Sequence, residues 1–105
     1  MTRHDASLTT RLDVPSMDPA LVAAAARLPT ATLHEAARKI GALPSAIKPV
    51  APGFRCAGPA LTVHSPGGDN LWLHRALEVA RPGDVMVVFA SGAHEHGYWG
   101  EIMTT

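Results

Sequence analysis

The sequence predicts an α/β layered domain, on three observations: a short alternating run, a segment with helical spacing, and a continuous apolar run. Ala60-Leu61-Thr62-Val63-His64 alternates apolar and polar residues, as a strand with one buried face does. Ser65-Pro66-Gly67-Gly68 breaks that run. From Asp69 onward, Leu73, Ala76, Leu77 and Ala80 recur at three- and four-residue intervals, which marks one face of a helix. Arg81-Pro82-Gly83-Asp84 is a turn, and Val85-Met86-Val87-Val88-Phe89 reads as a strand covered on both faces. Strand, helix and strand with compact turns predict a parallel pair, 60–65 and 85–90, flanking a helix of about 69–80. Asp69 is expected to cap that helix, its carboxylate accepting an N–H from Leu71 or Trp72.

The elements on either side follow from local signals. Residues 1–17 lack periodicity and read as a loose leader, which leaves 18–105 as one partial domain. Asp18 is an N-cap, and Pro19 sits at the first helical position, where its missing N–H costs nothing. That helix runs through Leu28 and stops at Pro29. Thr32-Leu33-His34-Glu35 has the spacing of a capping box, and Gly41 suits the end of a second helix. A proline-rich loop spans 44–59. Residues 91–97 form a polar loop, and Tyr98-Trp99-Gly100-Glu101-Ile102-Met103 opens a further helix in which the chain ends.

Composition excludes several classes. A chain of 105 residues with 47% apolar content holds one core and is too short for two. Nine basic and nine acidic residues cancel, two of the basic ones being Lys39 and Lys48, and no like-charge run occurs. That gives no basic patch of the kind a nucleic-acid binder uses to neutralise phosphates. The single cysteine, Cys56, makes no internal disulfide. The first sixteen residues hold no signal-type apolar stretch, and the run from Val85 to Ala90 is far below spanning length. These features point to a cytoplasmic protein with no membrane segment.

Several residues invite chemical readings. Gly67-Gly68-Asp69 before a helix could cradle an anion, but the Asp69 carboxylate would occupy those amides itself. His94-Glu95-His96 could supply two imidazoles and a carboxylate to zinc, and in a strand it is His94 and His96 that would face the same side. A zinc site usually needs three or four protein ligands, however, and the spacing is not that of a helical HExxH, so a solvated loop is the plainer reading. Cys56 could be a nucleophile with His64 or His74 as base. Without an orienting third group it reads as a small buried hydrophobe. His74, beside Arg75, reads as a rim or subunit contact, and Trp72 and Trp99 as packing anchors rather than stacking platforms.

Gly58-Pro59-Ala60-Leu61-Thr62-Val63, Gly68-Asp69-Asn70-Leu71 and Arg81-Pro82-Gly83-Asp84-Val85-Met86-Val87-Val88, in this order and spacing, resemble the RraA-like family. A fourth stretch, Tyr98 to Met103, resembles the loop with which the family's aldolases hold pyruvate through backbone amides. The resemblance covers roughly residues 19–105. It implies a layered α/β sandwich of the RraA-like type, truncated, with N-terminal helices and a strand–helix–strand unit.

The resemblance also carries functional expectations. The aldolase branch is metal-dependent, using a divalent cation (magnesium or manganese) to cleave 4-hydroxy-4-methyl-2-oxoglutarate to pyruvate and to decarboxylate oxaloacetate. The cation stabilises a pyruvate enolate as a Lewis acid. Gly100, Glu101, Ile102 and Met103 would then be the substrate-binding residues, lending amides to a small 2-oxo acid. On the residues alone, Glu101 is simply an acidic residue in a first helical turn. The family's substrate-gripping arginine and metal-anchoring aspartate lie on a later strand and loop. This chain is therefore expected to lack them, to offer no catalytic residue or metal ligand, and to be inactive alone. Trimers or hexamers are the implied assembly. The rival expectations are a non-enzymatic regulator that binds a ribonuclease, as the founding branch does, and a degenerate gene remnant.

Overall fold

The computed structural model describes residues 10–67, 69–92, 95 and 97–104. Its elements, in chain order, are α1 (Pro19–Ala26), α2 (Thr30–Ala36), β1 (Ala60–His64), α3 (Leu71–Val79), β2 (Val85–Phe89) and α4 (Glu101–Thr104). They fall into two compact units: Ser16–Pro59, and Met1–Pro15 with Ala60–Thr105.

The Ser16–Pro59 unit holds α1 and α2. Asp18 caps α1 as expected, its Oδ1 accepting the Ala20 N–H at 2.9 Å, and Pro19 follows as the first helical residue. The alanine-rich interior favours helix by propensity alone. Its end is held from a distant part of the sequence, because the Arg55 guanidinium donates to the carbonyls of Ala26 (3.1 Å) and Leu28 (3.3 Å). A cation on the last carbonyls both satisfies acceptors and complements the helix dipole.

The capping box expected at Thr32 does not form. Pro29, extended at φ −61° and ψ 145°, is the N-cap of α2 and makes no side-chain cap bond. Its carbonyl accepts the Leu33 N–H at 3.2 Å, so the helix is already under way two residues before Thr32. The end of α2 also precedes Gly41. Arg38 and Lys39 both take positive φ (58° and 62°), and their N–H groups return to the carbonyls of Glu35 (3.0 Å) and His34 (2.7 Å). This is a Schellman closure with arginine at the left-handed position that glycine usually fills.

The other unit contains the predicted strand–helix–strand. β1 and β2 are parallel, in the register Ala60↔Val85 through His64↔Phe89. The alternation of β1 is real: Leu61 and Val63 are half-buried, while Ala60, Thr62 and His64 are exposed. Helix α3 packs on β1 through Leu73 and Ala76, 2% and 6% exposed, the only buried apolar side chains among the described residues. Its inward face is completed by half-buried Trp72 and Val79; Leu77 and Ala80, expected on that face, are exposed. The helix is thus turned so that the indole of Trp72 rests against the unit. The Arg81–Asp84 turn closes reciprocally. Asp84 donates its N–H to the Arg81 carbonyl (3.0 Å) and accepts the Arg81 N–H on Oδ2 (2.9 Å). Gly83 at φ 91° supplies the left-handed position that a type II turn requires after proline.

β2 departs from expectation. Its last two residues, Val88 and Phe89, are exposed (Phe89 by 63%), so the apolar run is not covered on both faces. Two-sided cover needs a layer on each face of a sheet, and α3 lies against β1. No helix among the described residues is long and apolar enough to cross a membrane.

Candidate functional site at the strand ends

Because β1 and β2 are parallel and in register, their carboxyl ends finish side by side at His64 and Phe89. In open parallel sheets this edge is where ligands bind, since the loops that follow the strands converge there. His64 is exposed, its ring set against that of Phe89 with centroids 5.2 Å apart and planes tilted by 33°. Two residues past β2, the Ser91 Oγ lies 2.7 Å from His64 Nε2. Ser91 has φ 55°, a left-handed conformation unusual for a residue with a side chain, and Gly92 follows at φ 84°.

The neighbouring turn from β1 into α3 is pinned through Ser65, the one buried polar side chain among the described residues. Its N–H donates to the Phe89 carbonyl (2.9 Å) and its hydroxyl donates to the Asp69 carbonyl. Asp69 Oδ1 accepts the Leu71 N–H at 2.8 Å, the bond expected of it. Asn70 occupies the formal N-cap, so Asp69 acts one residue earlier, as an Asx turn leading into α3. Its carboxylate therefore serves the helix entry. On the same unit, a groove of about 170 Å³ lies between Thr62 and His64 of β1, Trp72 and Arg75 of α3, and Arg11.

The segment proposed for carboxylate binding forms a tight helical start. Gly100 precedes α4, and its carbonyl accepts the Met103 N–H at 3.1 Å, so that amide is engaged by the turn itself. Trp99 Nε1 donates to Thr104 Oγ1 (2.7 Å), whose hydroxyl donates to the Gly100 carbonyl at 3.3 Å. Glu101 and Ile102 belong to the α4 backbone. Trp99 is 49% exposed, so it closes a local hydrogen-bonded loop rather than anchoring a core.

The other candidates separate. Cys56 is exposed, correcting its reading as a buried hydrophobe; the glycine- and proline-rich stretch around it forms no helix or strand that would bury it. It belongs to the Ser16–Pro59 unit, whereas His64 and His74 belong to the other. His94 and His96, like Gly68, lie outside the described residues, and Glu95 is exposed. Among the described residues, no three His, Cys, Asp or Glu side chains gather to hold a metal ion. Ser91 was missed from the sequence, where it reads only as the first residue of a polar loop. The available signal was its position just beyond an apolar strand and directly before a glycine.

The RraA-like family profile, described as Aldolase/RraA, matches residues 30–105. A curated protein of Halalkalibacterium halodurans, named "Putative 4-hydroxy-4-methyl-2-oxoglutarate aldolase", is 40% identical over 65 residues. Those residues are 62% of this chain and 31% of the relative, so the chain spans about a third of the length of the curated relative it matches. No solved structure matches the chain.

Proposed function

The chain belongs to the RraA-like family, and from that membership we propose that it carries the strand–helix–strand part of a lyase that releases pyruvate from 4-hydroxy-4-methyl-2-oxoglutarate. The observation behind this reading is the 40% identity over 65 residues to a protein named for that activity. The same reading extends to decarboxylation of oxaloacetate, because both reactions break a carbon–carbon bond beside a 2-oxo acid and leave a pyruvate enolate.

In this reading, Gly100, Glu101 and Ile102 direct backbone amides at the substrate carboxylate, while Met103 holds the turn through Gly100. Fixing the carboxylate orients the scissile bond, which is the entropic part of catalysis. The described residues offer no ligand set for the family's divalent cation, so no step is assigned to a cation in this chain. The substrate-gripping arginine and the metal-anchoring aspartate belong to other segments of the family's fold. In this reading residues 1–105 show no lyase turnover alone, and the family resemblance implies a trimer or hexamer for the whole protein.

A segment exchange tests this. The matching 65 residues of the Halalkalibacterium protein are replaced by those of this chain, and pyruvate release is followed by coupling to lactate dehydrogenase. Retained turnover, abolished by EDTA, is expected of the exchanged protein, and no turnover of residues 1–105 alone. A folded exchange protein that releases no pyruvate, beside an active parent, would end the lyase reading.

A further inference from the structure

We propose that Ser91 and His64 form a nucleophile–base pair at the carboxyl ends of the parallel strands, able to accept an acyl group from a small activated ester. This is independent of the lyase reading, because it uses other atoms and is read by a different chemistry.

Four observations carry it. The 2.7 Å distance from Ser91 Oγ to His64 Nε2 is within direct proton-transfer range, in the tautomer that carries its proton on Nδ1. The imidazole packs against the Phe89 ring, with centroids 5.2 Å apart and planes tilted by 33°, which limits the rotation of the base. Ser91 holds φ 55°, a left-handed conformation that costs a side-chain-bearing residue energy and recurs at functional sites. Both partners are exposed and sit where the strand ends converge, so an ester can reach the hydroxyl.

The step balances without any further reagent. As Ser91 Oγ attacks the carbonyl carbon, His64 Nε2 takes the hydroxyl proton. The ester C–O bond then breaks, the leaving alkoxide takes that proton from the imidazolium, and the acyl group stays on Oγ. Water attacks the acyl carbon by the same route, returning the hydroxyl and releasing the carboxylic acid.

The test uses the full 105-residue chain with Cys56→Ser, which removes the exposed thiol, and an alkyl fluorophosphonate as probe. Attack by Oγ on phosphorus expels fluoride and leaves a stable adduct. One adduct per chain is expected by intact mass, located at Ser91 by peptide mapping. Ser91→Gly should abolish it while keeping the fold, since glycine adopts φ 55° freely. His64→Phe keeps a ring against Phe89 but removes the base, and should slow labelling by about 10²-fold, as loss of a general base does. His64→Gln serves as a second variant and should be slowed alike. Labelling spread over other serines, labelling no faster than that of a free serine amide, or an unchanged rate in both His64 variants would each overturn the pair.

Discussion

Asp69 acts through one hydrogen bond, to the Leu71 N–H, at the point where the chain leaves the β1 turn and enters α3. Such a bond satisfies one of the four N–H groups that a helix start leaves orphaned. Asp69→Ala should cost about 1 kcal/mol of stability, and Asp69→Asn much less, because the amide oxygen accepts the same bond. Urea melts of the three proteins check this; equal losses from both changes would mean that the charge, not the bond, is what matters. At this scale the sequence was a sound guide at Asp18, at Asp69 and in the Arg81–Asp84 turn. Asp18 caps α1 and the Arg81–Asp84 turn closes on itself, because each partner lies within three residues. Two contacts the sequence did not show share a different cause. Arg55 holding the end of α1 across 29 residues, and Ser91 meeting His64 across 27, depend on where the chain folds back. Those separations leave no periodic trace in the sequence.

Among the elements, α3 has the most to lose. Leu73 is 2% exposed and sits with Ala76 where the helix meets β1. Leu73→Ala would remove the main apolar contact of the strand–helix–strand unit, at a cost of about 2–5 kcal/mol. Far-UV circular dichroism and near-UV signals from Trp72 should show that loss; a variant as stable as the parent would mean that α3 is not what holds this unit together. The parallel pairing of β1 and β2 was legible because an alternating run, a helical spacing and an apolar run leave few topologies. What the pattern did not show was which face of α3 turns inward, because Trp72 and Leu77 both sit beside the Leu73–Ala76 stripe. The capping box at Thr32 misled for a related reason. A proline with extended ψ at position 29 starts the helix through its backbone, so Thr32 lies inside the first turn and cannot cap its start.

For the whole molecule, the balance between buried and exposed apolar groups decides what the 105-residue chain does by itself. Two apolar side chains are buried among the described residues, while Ile40, Val50, Phe54 and Phe89 are each more than 60% exposed. Domains are stable by only about 5–15 kcal/mol, the small remainder after chain entropy is met by burial of this kind of surface. A chain that buries so few such groups should be marginal, and exposed apolar residues of this size are normally covered by a partner or by more of the same protein. Phe89 adds a directional element, since it ends a strand whose outer edge can accept another. We therefore expect purified residues 1–105 to bind the dye ANS and to elute from size exclusion above their 11.0 kDa mass, shifting with concentration. Phe89→Lys should weaken that association, by placing a charge where an edge strand would otherwise pair. A dye-silent 11.0 kDa monomer that unfolds cooperatively would show that these exposed groups need no partner. An association that Phe89→Lys leaves untouched would place the contact elsewhere, on the Ser16–Pro59 unit that carries Ile40, Val50 and Phe54.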